Sequence, residues 1–177
     1  MKIFGYILII IVVLIGGLLG GAFLLPSQVH VERQAVIAAP PGAIFPLVNN
    51  FHNSEKWSPW LVRDRQTRIE YSGPEQGVGA KMVWRSDHPE VGNGSQEITA
   101  SETDRLVRVA LAFEGHGNAT GMFNLTPKGA GTLVVWGFDT ELGANPVMRY
   151  MGLMFDKWVG SDFETGLANI KRIAEEN

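Results

Sequence analysis

Residues that could carry out chemistry are few in this chain, and none stands at the spacing of a known catalytic or metal site. The four histidines, His30, His52, His88 and His116, are scattered, and no two of them form an i, i+4 metal-binding pair with an acid between them. Cysteine is absent, which excludes a thiolate metal site, a cysteine nucleophile and a disulfide framework. The sequence also has no Gly-x-Ser-x-Gly nucleophile motif. We therefore assign no catalytic residue and no metal ligand, and we expect no cofactor.

A single carboxyl group in an apolar pocket would still be enough for general acid–base catalysis of a cyclisation or a dehydration. Asp139 and Asp156 are the candidates, because each adjoins an apolar run. Both residues also fit an ordinary role, as a charge at a strand end or on the face of a helix. A cyclase or dehydratase is therefore an alternative for this chain, with no catalytic residue assigned.

Aromatic residues are concentrated between residues 49 and 60, in the stretch NNFHNSEKWSPW. Phe51, His52, Trp57 and Trp60 fall close together there. Tryptophan combines a large apolar ring with an N–H donor, which suits a site that fixes an amphipathic ligand. The same rings would suit a filled core equally well.

Residues 3–25 form a run of 23 residues without a charge. A helix of that length would reach about 34 Å, enough for a hydrocarbon core of roughly 30 Å. The run predicts a transmembrane anchor over residues 1–26, followed by one domain over residues 27–177. Lys2 precedes the run, whereas Glu32 and Arg33 cancel after it. The positive-inside rule therefore places the N-terminus in the cytoplasm and the domain outside it, in a periplasm or at a cell surface.

A cleaved secretory signal is the alternative for this segment. Gly20-Gly21-Ala22 offers small residues for cleavage, but the apolar run exceeds the usual signal core of about 7–15 residues. Both interpretations place the domain outside the cytoplasm. Gly16 with Gly20, and Gly17 with Gly21, also have the small-xxx-small spacing that lets two membrane helices approach closely. The anchor would thus allow a homodimer as well as a membrane partner.

The charge of the chain excludes one class of partner. The net charge is −3, and lysine and arginine form no cluster. Nucleic-acid binding therefore has no electrostatic support, and we expect no nucleic acid as a partner.

After residue 26 the sequence predicts a strand, two short helices, six strands and a long helix. The first strand covers residues 29–37, and the six later strands lie between Thr67 and Asp139, separated by glycine and proline turns. Short strands joined by tight turns favour an antiparallel meander. The long helix covers residues 145–176. We therefore predict an α+β helix-grip fold, in which a seven-stranded antiparallel sheet curves around one long C-terminal helix.

Prolines and glycines carry local predictions of their own. Pro46 should fall in the first turn of its helix or break it. Pro59 should end the second short helix. Gly152, Gly160 and Gly166 are poor helix formers and predict a bend or a break in the long helix.

Five motifs in order carry a resemblance to a known family: P..IF.LV.NF.N...WSPW, GVGAKMVW, G.GSQEI, GTLVVWGF and F..GLANIK. The chain resembles the START-like superfamily, the polyketide cyclase/dehydrase and lipid-transport group often called SRPBCC, and is similar to birch-pollen-allergen-like domains. The resemblance covers nearly all of residues 29–174. It implies a deep apolar cavity between the sheet and the long helix. It does not fix a function, because this fold hosts ligand binders, cyclases, ring-hydroxylase subunits and chaperone activators.

In such a fold the two short helices would close the open end of the sheet, while alternate strand residues would point into the cavity. The predicted ligand-binding residues are Trp57, Trp60, Met82, Trp84, Gln96, Phe123, Trp136, Met154 and Trp158. The leading prediction is a membrane-anchored domain outside the cytoplasm that binds a hydrophobic small molecule or lipid, to present, sense or transfer it. A protein-interaction module with a filled pocket is the third alternative.

Overall fold

A seven-stranded antiparallel sheet is the frame of the molecule, as the sequence predicts. The computed structural model describes residues 2–115 and 117–176, and His116 lies outside them. The strands in chain order are β1 (Gln28–Ile37), β2 (Arg68–Ser72), β3 (Lys81–Arg85), β4 (Gly94–Glu102), β5 (Leu106–Phe113), β6 (Gly117–Lys128) and β7 (Gly131–Glu141). In the sheet they lie in the order β1-β7-β6-β5-β4-β3-β2, and every neighbouring pair is antiparallel. Strands β2 to β7 form the predicted meander, and β1 and β2 are the two edges.

The helical segments in the described part of the chain are α1 (Lys2–Ala22), α2 (Pro41–Asn49), a 3-10 helix (Phe51–Lys56), α3 (Pro59–Arg63) and α4 (Pro146–Glu175). α2 and α4 pack on one face of the sheet, whereas α1 contacts α4. The 30 residues of α4 extend over about 45 Å and pack chiefly along β1. α2 and α3 also contact α4. The predicted α+β helix-grip arrangement is therefore confirmed.

The N-terminal helix differs from the predicted anchor. α1 ends at Ala22 rather than at Pro26, and its last turn is held against the start of α4, where the Tyr150 hydroxyl donates to the Leu18 carbonyl at 2.8 Å. Among the described residues, no helix is at once long enough and apolar enough to cross a membrane. The transmembrane span predicted over residues 1–26 is therefore not supported.

The short helices correct two predictions about proline. Pro46 lies inside α2 without breaking it; the helix is only nine residues long and loses a single amide donor there. Pro59 does not end a helix but begins α3, at a position where a missing N–H is tolerated. The 3-10 helix before it ends at Lys56, and Asn50 caps its start by accepting from the His52 amide at 2.9 Å. The two tryptophans of WSPW therefore flank a junction between two helical segments.

α4 runs without a break through its three glycines. A Cβ at Gly152 would lie 2.5 Å from Leu142 Cδ1, and a Cβ at Gly166 would lie 2.7 Å from Trp136 Cζ3. At Gly160 the corresponding space is taken by a guanidinium group. At each glycine, a group from another part of the chain lies too close to the helix for a side chain to fit. Glycine costs a helix about 1 kcal/mol relative to alanine, and these close contacts explain why it is present at the three positions.

An arginine on the edge strand β1 fastens the middle of α4. Arg33 Nη1 donates to Asp156 Oδ1, and Arg33 Nε donates to Glu164 Oε1, both at 2.9 Å. These two carboxylates hold the pKa of Arg33 above its usual range, and Arg33 in turn lowers the pKa of Asp156. The Arg33 guanidinium group lies over Gly160, and the absence of a side chain on this glycine leaves space for the guanidinium group.

Side chains near the C-terminus of α4 also reach the main chain of the β1 edge. Lys171 Nζ donates to the Val36 carbonyl at 3.0 Å. The Ala38 amide donates to Glu175 Oε1 at 2.7 Å. Since β1 pairs with β7 on one side only, the long helix supplies partners on the side that has no strand.

Polar side chains fix α3 to the rest of the domain. Arg63 Nη2 donates to Asp162 Oδ1 of α4 at 2.6 Å. Asp64, the next residue, accepts from Ser86 Oγ at 2.6 Å and from the Gln66 amide at 2.8 Å. These hydrogen bonds, chiefly the one from Ser86, lower the pKa of Asp64. α3 is therefore tied both to the long helix and to the hairpin between β3 and β4.

The first prediction concerns the close approach at Gly166. We expect Gly166→Ala to lower the free energy of unfolding by about 1–2 kcal/mol, although alanine is the better helix former. The new Cβ would press on Trp136, which is packed between two other aromatic rings. Urea unfolding followed by circular dichroism measures the change. Gly152→Ala is the matched control, because the end of the Leu142 side chain can move; equal stability of the two variants would contradict this explanation.

The second prediction concerns the carboxylate of Asp64. Its folded-state pKa lies below the unfolded value of about 3.9, so its hydrogen bonds stabilise the fold fully above that value and are lost as the pH falls through the folded-state pKa. We therefore expect the unfolding free energy of the wild type to fall more steeply below about pH 4 than that of Asp64→Asn. Chemical unfolding across the acid range tests this. Parallel pH curves for the two proteins would mean that Asp64 contributes nothing.

Candidate functional site

Four of the nine predicted ligand-binding residues meet in one aromatic cluster on the concave face of the sheet. Trp136 of β7 lies at its centre, with Phe123 of β6 stacked at 4.8 Å between ring centroids and Phe163 of α4 stacked at 3.8 Å. Trp57 and Trp60 meet Trp136 edge-on at 5.4 and 5.9 Å. Phe123 and Trp136 are direct partners in the β6–β7 register, which brings their rings together. The cluster fills the concave face under the C-terminal half of α4.

Trp57 is a core residue, and Trp60 lies at the border of the cluster. Trp57 is 6 % exposed, and its indole N–H donates to the Leu47 carbonyl at 2.8 Å. The Asn169 side chain of α4 donates to the Trp57 carbonyl at 3.0 Å. Trp60 is half-buried and also meets Phe163 edge-on. The WSPW stretch therefore closes one end of the sheet, and the polar handle of Trp57 is used inside the protein.

The other half of the concave face, on β3 to β5, is less covered; we refer to it as the open half. Met82 and Trp84 of β3 are buried, and the Gln96 amide of β4 lies 3.6 Å from the Met82 sulfur. Gln96, Leu111 and Phe113 are only half-buried, although all three point to the concave face. Large apolar side chains are thus partly accessible on the inner face of the sheet.

Leu111 and Phe113 were not among the predicted ligand-binding residues. The signal for them is the alternation in RLVRVALAF, which places Val107, Val109, Leu111 and Phe113 on one face of β5. Along that face Val107 and Val109 are buried, whereas the next two are not. Strand periodicity thus predicts which residues of β5 point to the concave face. It does not predict which of them are covered, because that depends on where α4 lies.

Met154 and Trp158, which were predicted to face the sheet from the long helix, are 40 % and 49 % exposed. They follow Val147 and Met151 along one side of α4, at the i, i+4, i+7 and i+11 spacing of a single helical stripe. The side that packs on the sheet carries a second apolar series, which consists of Phe155, Val159, Phe163, Leu167 and Ile170. Two apolar series run along the helix, and the sheet buries the second one.

An amide lies at the open half, and a phenol lies beside it on β2. The Gln96 amide faces the Met82 sulfur, which is a weak acceptor. Tyr71 of β2 donates its hydroxyl to Glu55 at 2.9 Å, and its ring lies against His52 at 3.8 Å between centroids. Burial and the carboxylate of Glu55 raise the pKa of Tyr71 above its usual range. Tyr71 therefore stays protonated and donates at neutral pH.

The acid candidates lie away from the open half. Asp139 is hydrogen-bonded to His30 Nδ1 at 2.7 Å on the convex face of the sheet, and Asp156 is paired with Arg33 beside β1. Two surface depressions lie along β1. The first, of about 450 Å³, is lined by His30 and Asp139, and the second, of about 500 Å³, is lined by Arg33 and Glu164. In the part of the chain that the structure describes, no group of three or more histidines and carboxylates is arranged to hold a metal ion.

A family model agrees with this architecture. The model described as polyketide cyclase / dehydrase and lipid transport matches residues 28–175. A search of curated proteins found no match to the chain.

Solved structures with the same fold are similar over most of their length. Truncated norcoclaurine synthase from Thalictrum flavum has a TM-score of 0.67 and 12 % identity, covering 85 % of this chain and 95 % of that one. The protein of unknown function SA2116 from Staphylococcus aureus has a TM-score of 0.63 and 12 % identity, covering 84 % and 94 %. Ara h 8.0201 has a TM-score of 0.60 and 13 % identity, covering 85 % and 99 %. At such identities these likenesses show the fold alone.

The family match spans the whole sheet and the whole long helix, and the fold of the solved structures agrees with it. The resemblance found in the sequence motifs is thereby confirmed at the level of the superfamily. The chain belongs to the polyketide cyclase / dehydrase and lipid transport family.

Proposed function

We propose that this domain binds a hydrophobic small molecule or a lipid tail on the open half of its concave face. The observation that carries the proposal is the partial exposure of Gln96, Leu111 and Phe113, which point inward yet stay half-buried. Apolar walls with a few polar groups are the usual composition of a ligand site. Membership of a family whose description includes lipid transport supports the same function.

The filled half of the concave face limits where such a ligand would lie. Trp136 and Phe163 occupy the space under the C-terminal half of α4, so the ligand would lie between β3–β5 and the N-terminal half of that helix. A ligand that buries about 300 Å² of apolar surface would gain about 7 kcal/mol before the costs of association are subtracted. We therefore expect affinity in the micromolar range.

Two polar side chains would orient the ligand. The Gln96 amide can exchange its weak contact with the Met82 sulfur for a stronger hydrogen bond to a ligand headgroup. The Tyr71 hydroxyl, already bonded to Glu55, lies on β2, which is the strand next to β3 of the open half. A molecule with one polar end and an apolar body fits this distribution.

A protein-interaction module is the second candidate function. The aromatic half of the concave face is filled, and α4 carries an exposed apolar stripe that includes Val147 and Trp158. A cyclase or dehydratase has less support, because Asp139 and Asp156 lie outside the open half. Failure of the ligand-binding experiment below would favour the interaction module.

The cellular location and the homodimer stay predictions. A reporter enzyme fused after Asn177, active only outside the cytoplasm, tests the location. Gly21, one of the glycines predicted to contact a second anchor helix, instead lies against Tyr150 of α4. A Cβ at Gly21 would lie 3.1 Å from the Tyr150 hydroxyl oxygen. Loss of self-association in a Gly21 variant would therefore need a check that α1 still contacts α4.

The third prediction tests ligand binding with cis-parinaric acid, a fluorescent long-chain fatty acid. We expect saturable binding in the micromolar range, and we expect Leu111→Asn to weaken it about tenfold by placing an amide in the apolar site. Fluorescence titration gives the dissociation constants. Circular dichroism and urea unfolding show whether each variant keeps its fold.

Ala112→Asn is the matched control for that experiment. Ala112 follows Leu111 on β5, is exposed and points to the opposite face of the sheet. It should bind the fatty acid as the wild type does. If folded Leu111→Asn also binds like the wild type, or if the wild type does not bind at all, the open half is not a ligand site.

A further inference from the structure

α1 exposes apolar side chains on every side. The seven consecutive residues Ile9 to Ile15 are each 46–67 % exposed. Seven residues make almost two helical turns, so no side of the helix is left out. A helix that is hydrophobic all round is normally buried in a protein core or in lipid. This surface therefore needs an apolar partner that the described domain does not supply.

The first half of α4 adds a second exposed apolar surface. Val147 is 63 % exposed and Trp158 is 49 % exposed. Met151 and Met154 are 38 % and 40 % exposed beside them. Soluble domains rarely leave a contiguous apolar area of this kind in water unless it is an interaction site.

Arg149 and Tyr150 join the two surfaces at a fixed place. Arg149 Nη1 donates to the carbonyls of Phe23 and Leu25, each at 3.3 Å, and its guanidinium lies 5.2 Å from the Phe23 ring centroid. Tyr150 donates to the Leu18 carbonyl at 2.8 Å. These contacts hold the end of α1 and the residues after it against the start of α4. The exposed apolar surfaces of the two helices meet at this contact.

We propose that α1 and the exposed stripe of α4 together form a docking surface for the hydrocarbon region of a lipid bilayer. The all-round exposure of α1 favours lipid over a second copy of the chain, because a partner helix covers one side and leaves the others in water. Residues 3–25 contain no charge to oppose insertion. Coverage of α1 on all sides requires that the helix be immersed among the acyl chains, whether or not it crosses the bilayer.

The charge of the protein indicates which bilayer should suffice. The chain carries a net charge of −3, so electrostatic attraction to an anionic membrane surface is not expected. Binding should therefore occur on vesicles of phosphatidylcholine alone and should not weaken when salt is added. This proposal is independent of the ligand proposed for the open half.

The absence of cysteine makes a site-specific test direct. Single cysteines in place of Met154 and Trp158, labelled with an environment-sensitive nitrobenzoxadiazole dye, report whether the stripe of α4 contacts lipid. The full chain is transferred from detergent to phosphatidylcholine vesicles. We expect both labels to shift to shorter wavelength and to be quenched by a nitroxide on the lipid acyl chain, in low and in high salt alike.

Ala112→Cys, exposed on β5, is the control and should keep the emission of a label in water. If the chain floats with vesicles while the labels at 154 and 158 stay in water, α1 alone binds and the α4 surface is wrongly assigned. A shift that follows protein concentration without vesicles would indicate a second copy and overturn the lipid proposal. A shift that needs anionic lipid and disappears in salt would also overturn it.

Discussion

The stacking of Trp136 between Phe123 and Phe163 determines how the long helix lies on the sheet. One of these rings belongs to the neighbouring strand and the other to α4, so the stack joins the two layers of the domain. Gly166 allows α4 to approach the indole, because a side chain at that position would collide with it. The C-terminal half of the helix is therefore held close to the sheet.

The two halves of the concave face consequently have different physical properties. Under the stack, aromatic rings fill the interior, and their truncation would leave a cavity with a large energetic cost. On β3 to β5, inward-pointing side chains such as Leu111 and Phe113 keep part of their surface in water. A helix-grip domain can thus combine a rigid core with an accessible apolar surface on the same sheet.

The sequence predicts the strands, their antiparallel order and the long helix, because periodicity and turn residues are local signals. It does not predict the separation of the nine candidate residues into a filled cluster, an open half and an exposed stripe. Trp136 and Trp158 have the same side chain, yet one is 6 % exposed and the other 49 %. Two apolar series overlap on α4, and only its position against β1 decides which one is buried. Glycine propensity predicted a bend or a break in α4, and the break does not occur. The groups that explain Gly152 and Gly166 come from distant parts of the chain, so the local sequence could not reveal them.

The two edges of the sheet differ in how they avoid pairing with another molecule. β2 is five residues long and carries the exposed charges of Arg68 and Glu70, a short and charged edge that discourages strand addition. β1 is ten residues long, and the long helix packs along it, with Lys171 bonded to the Val36 carbonyl near its end. Detachment of α4 would therefore uncover a long strand with unpaired main-chain groups. Aggregation through intermolecular β-pairing would then be a direct consequence of damage to the helix.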